Sequence, residues 1–154
     1  MNENISKKLP AYWWVDTTAG RVLLNMGDTL GFIENIYDQF LSRWGLSQTK
    51  ANVMLLLYEN EALALWELGE KLLVSRANIT GLMDRLSKSG LVTREVNPLD
   101  RRSLTAKLTP KGKKLIEEII PLLKDFTEKV FSPLSESEKE QLIKLLQKVQ
   151  YSRK

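Results

Sequence analysis

Residues 66–110 read "WELGEKLLVSRANITGLMDRLSKSGLVTREVNPLDRRSLTAKLTP". Two helical patterns meet here around a short turn, and two strand patterns follow at once. "WELGEKLL" (66–73) predicts a short helix with Leu68 and Leu72 at i and i+4 on one face. Val74 and Ser75 make a tight turn, and Ser75 is placed to cap the next helix. That helix, about 76–89, turns Ile79, Leu82, Met83 and Leu86 inward, and Gly90 closes it. "LVTREV" (91–96) and "SLTAKLT" (103–109) are strand-like, and in the second Leu104, Ala106 and Leu108 alternate with polar neighbours. The tip between them, Asn97 to Arg102, opens on the turn-forming pair Asn97-Pro98. Thr109 then caps a further helix, with Pro110 at its first position, where the missing N–H removes no bond.

Upstream, residues 11–45 read as a helix after a short irregular start. Met26, Leu30, Ile33, Tyr37, Phe40 and Trp44 recur at spacings of four and three, a seam suited to packing on another helix. Gly45 is a candidate C-cap. Ser47 caps a helix over about 48–59 whose buried side is Val53, Met54, Leu56 and Leu57, and Ala62–Ala64 fits a very short strand. Downstream, Leu115, Ile116, Ile119, Ile120, Leu123, Phe126 and Val130 give one apolar side to a long helix that Pro121 is expected to kink or bend. Ser135 and Glu138 form a capping box before a last helix carrying Leu142, Leu145, Leu146 and Val149. The fold class is mainly α with a small β-hairpin (α+β).

Composition excludes much. At 154 residues, 43% apolar and 27% charged, the chain suits one domain, or one domain with helical extensions. It has no cysteine and no histidine, which removes disulfides, thiolate nucleophiles, the usual zinc sites and the most common general base. No nucleophile–base pair, metal cluster or phosphate-cradling glycine loop is visible, so neither catalysis nor a metal or cofactor is expected. The start, "MNENISKKLP", has no apolar signal core. No apolar run approaches the ~18 residues of a membrane span. The expectation is a soluble cytoplasmic protein.

Charge is segregated. Lys71 to Lys114 contains eleven basic and three acidic residues, a net +8, whereas the rest holds 12 basic and 16 acidic, a net −4. Such segregation is the footprint of a polyanion-binding module, and a solvated basic surface is the alternative. Two adjacent arginines at a hairpin tip also repel each other unless something anionic meets them.

Two helices joined by a tight turn and followed by a hairpin describe a winged helix-turn-helix. The second helix is then a recognition helix over 75–88 for the major groove, its N-terminal residues facing base edges. Ser75, Arg76, Asn78 and Thr80 lie on its outward side, with Arg85 and Lys88 further along, and Gly81 leaves room for a close approach. Arginine pairs bidentately with guanine, and asparagine with adenine. The wing, 97–103, brings Arg101 and Arg102 to the minor groove, where a narrow groove concentrates negative potential. Asp100 orients one guanidinium through a charge-assisted hydrogen bond. The alternative for the tip is a solvated turn in which Asp100 offsets one arginine.

At this point the chain resembles the MarR family of bacterial transcription regulators over about residues 20–150. The most specific part is "GLMDRLSKSGLVTREVNPLDRRSLTAKLTPKG": a helix ending in Asp-Arg-Leu, then Gly-Leu-Val, a basic wing with Asp-Arg-Arg, and Leu-Thr-x-x-Gly opening the next helix. The resemblance implies a homodimer with interlocked N- and C-terminal helices, bound to a palindromic double-stranded operator. In the family the helix matching 75–88 enters the major groove and the arginine matching Arg102 the minor groove. Many members are repressors released by small, often aromatic, effectors. Long apolar helices at both ends are hard to bury on so small a core, which independently favours two copies joined on a two-fold axis. The expected parts are 1–46, an arm and dimerisation helix; 47–109, the winged helix-turn-helix; and 110–154, the C-terminal dimerisation helices.

Two positions depart from the family pattern: Trp66 where a Ser or Thr cap is usual, and Leu73 where Gly or Asn often makes the turn. The missing cysteine excludes the peroxide-sensing mechanism, and the missing histidine argues against a zinc-responsive one. Tyr12, Trp13 and Trp14 precede the first helix and Trp44 ends it. Trp13, Trp14 and Trp44 are candidates for an aromatic effector pocket, with Arg21 or Arg43 to anchor a carboxylate. Alternatively the aromatics clasp a partner subunit and the arginines are solvated. A second functional reading is a winged-helix protein-interaction module without specific DNA binding. The face Arg76, Asn78 and Thr80 suits base edges better than a protein groove, which would want exposed aromatics.

Overall fold

The structure, a computed structural model, describes residues 17–96 and 104–151. In chain order the elements are α1 (Thr18–Leu41), a single 3-10 turn (Ser42–Trp44), α2 (Gln48–Asn60), β1 (Ala62–Ala64) and α3 (Leu65–Leu72). They continue with α4 (Arg76–Lys88), β2 (Val92–Val96), β3 (Leu104–Leu108), α5 (Pro110–Val130) and α6 (Glu136–Gln150).

The helix boundaries follow their caps. Thr17, Ser47, Ser75, Thr109 and Ser135 each accept a backbone N–H in the first turn of the helix they precede. α1 stops earlier than the periodicity suggests. It tightens into the 3-10 turn after Leu41, and Gly45 leaves it in the left-handed region at φ 67°. α3 starts one residue before Trp66. Ala64 holds the N-cap position without a side-chain acceptor, and Glu67 Oε2 instead accepts the Ala64 N–H at 2.7 Å. α5 continues through Pro121 as one long helix, as its apolar side suggests. The ring removes one backbone bond there.

The sheet has three strands: the expected hairpin, joined by the very short strand that Ala62–Ala64 suggests in the sequence. Its order is β1-β3-β2, all antiparallel. β2 and β3 pair in the register Val92↔Leu108 to Val96↔Leu104, and β1 adds Leu63 opposite Ala106. Only the base of the hairpin is covered. Val92 and Ala106 are buried, whereas Val96 and Leu104 face solvent, so the hairpin projects beyond the core.

The core lies where α2, α3, α4 and α5 meet the sheet. Met54, Leu57, Leu68, Ile79, Met83, Leu86, Ile116 and Ile119 are fully buried in it. Gly112, of the Leu-Thr-x-x-Gly stretch, belongs to this junction: a Cβ there would collide with the carbonyl oxygen of Leu91. α1 joins through its C-terminal half. Phe40 stacks on Phe126 at 4.2 Å, Tyr37 meets the same ring edge-on, and the hydroxyls of Tyr37 and Thr127 bond at 2.7 Å.

The outer helix faces stay bare. Val22, Leu23, Leu30 and Phe32 on α1 are at least half exposed, and α6 has no buried residue, with Leu145 and Val149 in solvent. Among the described residues, the first half of the predicted α1 seam and much of the apolar face of α6 are therefore left partly or largely exposed to solvent.

Candidate nucleic-acid interface

α4 is held by its back. Ile79, Met83 and Leu86 are fully buried and Leu82 nearly so, which turns the opposite side outward. Ser75, Arg76, Asn78, Thr80, Arg85 and Lys88 are all exposed, as the spacing predicts. Their hydrogen bonds refine what each offers. Ser75 Oγ accepts the Asn78 N–H at 3.3 Å, which leaves its hydroxyl proton for an outside acceptor. Thr80 has its proton committed within the helix. Its hydroxyl donates to the Arg76 carbonyl at 2.9 Å, so it presents a methyl and acceptor lone pairs instead. Among the described residues, Arg76 forms no ion pair and the Asn78 amide no hydrogen bond.

Gly81 makes room for a neighbour as well as for a ligand. The Arg85 guanidinium lies 3.9 Å from where a Gly81 Cβ would stand, so it folds back along the outward side of its own helix. Arg85 and Lys88 occupy the last turn, where cations also suit the helix dipole.

Four contacts that sequence spacing does not announce tie the end of α4 to the hairpin and to α5. Asp84 Oδ1 pairs with Arg94 Nη1 of β2 at 2.6 Å. The Thr109 hydroxyl donates to the Gly90 carbonyl at 2.7 Å, and Thr109 N–H to the Leu91 carbonyl at 3.0 Å. Lys111 Nζ donates to the Ser89 carbonyl at 3.0 Å. Lys107 and Glu95 neutralise each other across the strands at 2.8 Å. Arg94 and Lys107 therefore spend their charge internally, while Arg76, Arg85 and Lys88 face outward. Asp84 and Arg94 are far apart in sequence. Only the opposition of strand and helix identifies them as partners. Asp100, Arg101 and Arg102, and the wing tip 97–103 as a whole, lie outside the described residues.

The two predicted effector residues that the structure describes, Arg21 and Trp44, are not brought together. Arg21 is in the first turn of α1 and Trp44 follows its end, roughly 35 Å apart at ~1.5 Å of rise per residue. Trp44 is used internally. Its ring packs on Phe40, the Arg43 guanidinium lies 4.9 Å from its centroid, and its Nε1–H reaches Glu118 at 3.4 Å. Arg21 donates to the Thr18 hydroxyl at 3.2 Å. Trp13 and Trp14 lie outside the described residues. A cleft of about 320 Å³ opens between the end of α5 and α6, lined by Phe131, Leu134, Leu142 and Leu146 among others, and none of the predicted effector residues lines it.

The model of the MarR family matches residues 46–104, from just before α2 to the start of β3. The HTH-type transcriptional regulator YkoM of Bacillus subtilis is 38% identical over 104 residues, covering 68% of each chain. The regulator MhqR of the same organism is 32% identical over 117 residues, covering 76% of this chain and 81% of its own. The fold matches a mutant of Escherichia coli MarR complexed with operator DNA at a TM-score of 0.78, covering 90% of this chain and 99% of that one, with 24% identity. A helix-turn-helix with an outward basic face, a projecting hairpin at its side and relatives of this similarity lead to one conclusion: the chain belongs to the MarR family of transcription regulators.

Proposed function

We propose that the protein is a homodimeric, sequence-specific repressor that binds a palindromic operator through α4. Ser75, Arg76, Asn78 and Thr80 face base edges in the major groove, and Arg85 and Lys88 follow the phosphates. Arg101 and Arg102 enter the minor groove from the wing, oriented by Asp100. One observation carries this reading. α4 is anchored by four apolar side chains on one side and presents six polar or basic ones on the other, with two of its three exposed cations in the last turn. Residues 47–109 form the DNA-binding part, and 1–46 and 110–154 the dimerisation parts. The bare faces of α1 and α6 supply the apolar surface that two copies need. A two-fold axis then sets the two α4 helices about one DNA turn apart, roughly 34 Å.

The test is fluorescence anisotropy against duplexes tiling the DNA upstream of the protein's own gene, with competitor DNA, at two salt concentrations. A single palindromic tile bound at the higher salt is the expected result. Equal, salt-sensitive binding to every tile would reduce the site to a nonspecific polyanion surface. Release of that tile by a small aromatic acid would establish the effector.

A further inference from the structure

Leu73 closes α3 in the left-handed region, at φ 54° and ψ 36°. Its N–H bonds the Glu70 and Gly69 carbonyls, and Val74 N–H bonds Gly69 at 2.9 Å, so the sharp turn into α4 requires this conformation. Glycine adopts it without strain, whereas a branched side chain adopts it at a cost. The Leu73 side chain is also 94% exposed, the most exposed of the large apolar residues described. Leucine here is thus unfavourable in backbone and in solvation, and the folded chain gives neither back. Strain of this kind is held where a function uses it.

The position says what meets it. Ser75, two residues on, caps α4 and is the first of its groove-facing residues. Two residues span at most roughly 7 Å of chain. The major groove is about 12 Å wide, so a helix that enters it N-terminus first carries Leu73 to the groove's lip. The surfaces available there to a hydrocarbon are deoxyribose carbons and thymine methyls. We infer that Leu73 is a DNA-contacting residue, an apolar anchor that packs on hydrocarbon at the lip of the major groove beside Ser75 and Arg76. This rests on the reading of α4 as the major-groove helix.

The experiment uses the full-length protein and the operator duplex found by tiling, with Leu73→Gly and Leu73→Asn. Both residues accept a positive φ, so both variants should melt no lower than the parent. Operator affinity should fall roughly tenfold, the worth of partly burying one apolar side chain. The slope of log affinity against log salt should not change, because no phosphate contact is removed. A second duplex carries deoxyuridine for thymine. If the parent loses affinity on it and Leu73→Gly does not, the contact is a thymine methyl. If neither responds while the variant stays weaker on both duplexes, the contact is deoxyribose. Parent and variants binding the operator within twofold of each other would overturn the inference and leave Leu73 to a protein partner. A weaker variant with a shallower salt slope would also overturn it, since docking as a whole would then have shifted. If the parent binds no duplex tightly, the operator-binding reading falls as well, and this inference with it.

Discussion

Two residues show how a side chain's chemistry and its surroundings divide the work. Arg102 is the residue proposed to enter the minor groove, where its charge and planarity would act. Arg102→Ala should weaken operator binding by roughly 1–3 kcal/mol, and Arg76→Ala by a similar amount if it reads a guanine edge. Loss of a phosphate contact should also lower the salt slope by about one unit, a distinction that anisotropy at several salt concentrations resolves. Gly112 acts only through the absence of a side chain. A methyl at that position runs into the Leu91 carbonyl, which also accepts the Thr109 N–H. Gly112→Ala should therefore force α5 off the end of α4 and destabilise the fold by about 1–3 kcal/mol, as overpacking does. A urea midpoint equal to the parent's would show that α5 gives way easily. Arg76 and Arg102 are legible from sequence as donors. The need for glycine at 112 is visible only once Leu91 is beside it.

At the scale of elements, caps and charges hold short pieces in register. Ser135 and Glu138 make the reciprocal cap of α6: Ser135 N–H and Oγ–H both reach Glu138 Oε2, at 2.8 and 2.7 Å. The side-chain hydrogen bond from Ser135, then its backbone N–H, hold the Glu138 carboxyl below its ordinary value of 4.5. A carboxyl lowered on folding stabilises the folded form above its unfolded pKa, and that contribution fades as pH falls through the lowered folded value. Corrected for the intrinsic pH dependence of amide exchange, protection of the first turn of α6 should fall in the parent as pH drops below 4.5. In Glu138→Gln that step should be missing. The Asp84–Arg94 pair joins α4 to β2 with both side chains partly in water, 30% exposed for Arg94 and 48% for Asp84. Its worth to stability is therefore about 1 kcal/mol at most, and its clearer role is to set the hairpin against the recognition helix. Exchanging the two residues should restore operator affinity lost in Asp84→Asn.

The whole molecule is incomplete as one chain. Leu30 and Phe32 on α1 are exposed to 58% and 60%, and Leu142, Ile143, Leu145 and Val149 on α6 to between 40% and 58%. Apolar surface on this scale marks an association site. Leu145→Glu should split the dimer in analytical ultracentrifugation while the monomer's helical circular dichroism persists, because α6 contributes no residue to the core. Operator binding should then fall by far more than any single α4 substitution achieves, since one half-site no longer brings the other into place. A dimer that survives this substitution at micromolar concentration would locate the interface elsewhere.

The sequence by itself determined the elements and the turn chemistry, because both are written over short distances. Four hydroxyl caps, at Ser47, Ser75, Thr109 and Ser135, the left-handed Gly45, the inward stripe of α4 and the alternation of β3 need only i to i+4 neighbours. The outward residues of α4 followed from the same stripe, as its complement. What the tertiary structure decided depends on parts of the chain that meet only on folding. β1 is suggested at Ala62–Ala64, but three residues carry no period, and only the fold shows that it joins the hairpin by setting Leu63 opposite Ala106 of β3. Thr80 is no donor because Arg76's carbonyl is within its reach. Trp44 is committed to Phe40, Arg43 and Glu118, and Arg21 stands at the far end of α1, so these two described residues do not share a pocket. Leu73 stands out in the sequence only as a departure from the Gly or Asn usual at the turn, and its positive φ together with its exposure is seen only in the fold. Local rules place a side chain on a face. Which groups it then satisfies is set by what the rest of the fold brings against that face.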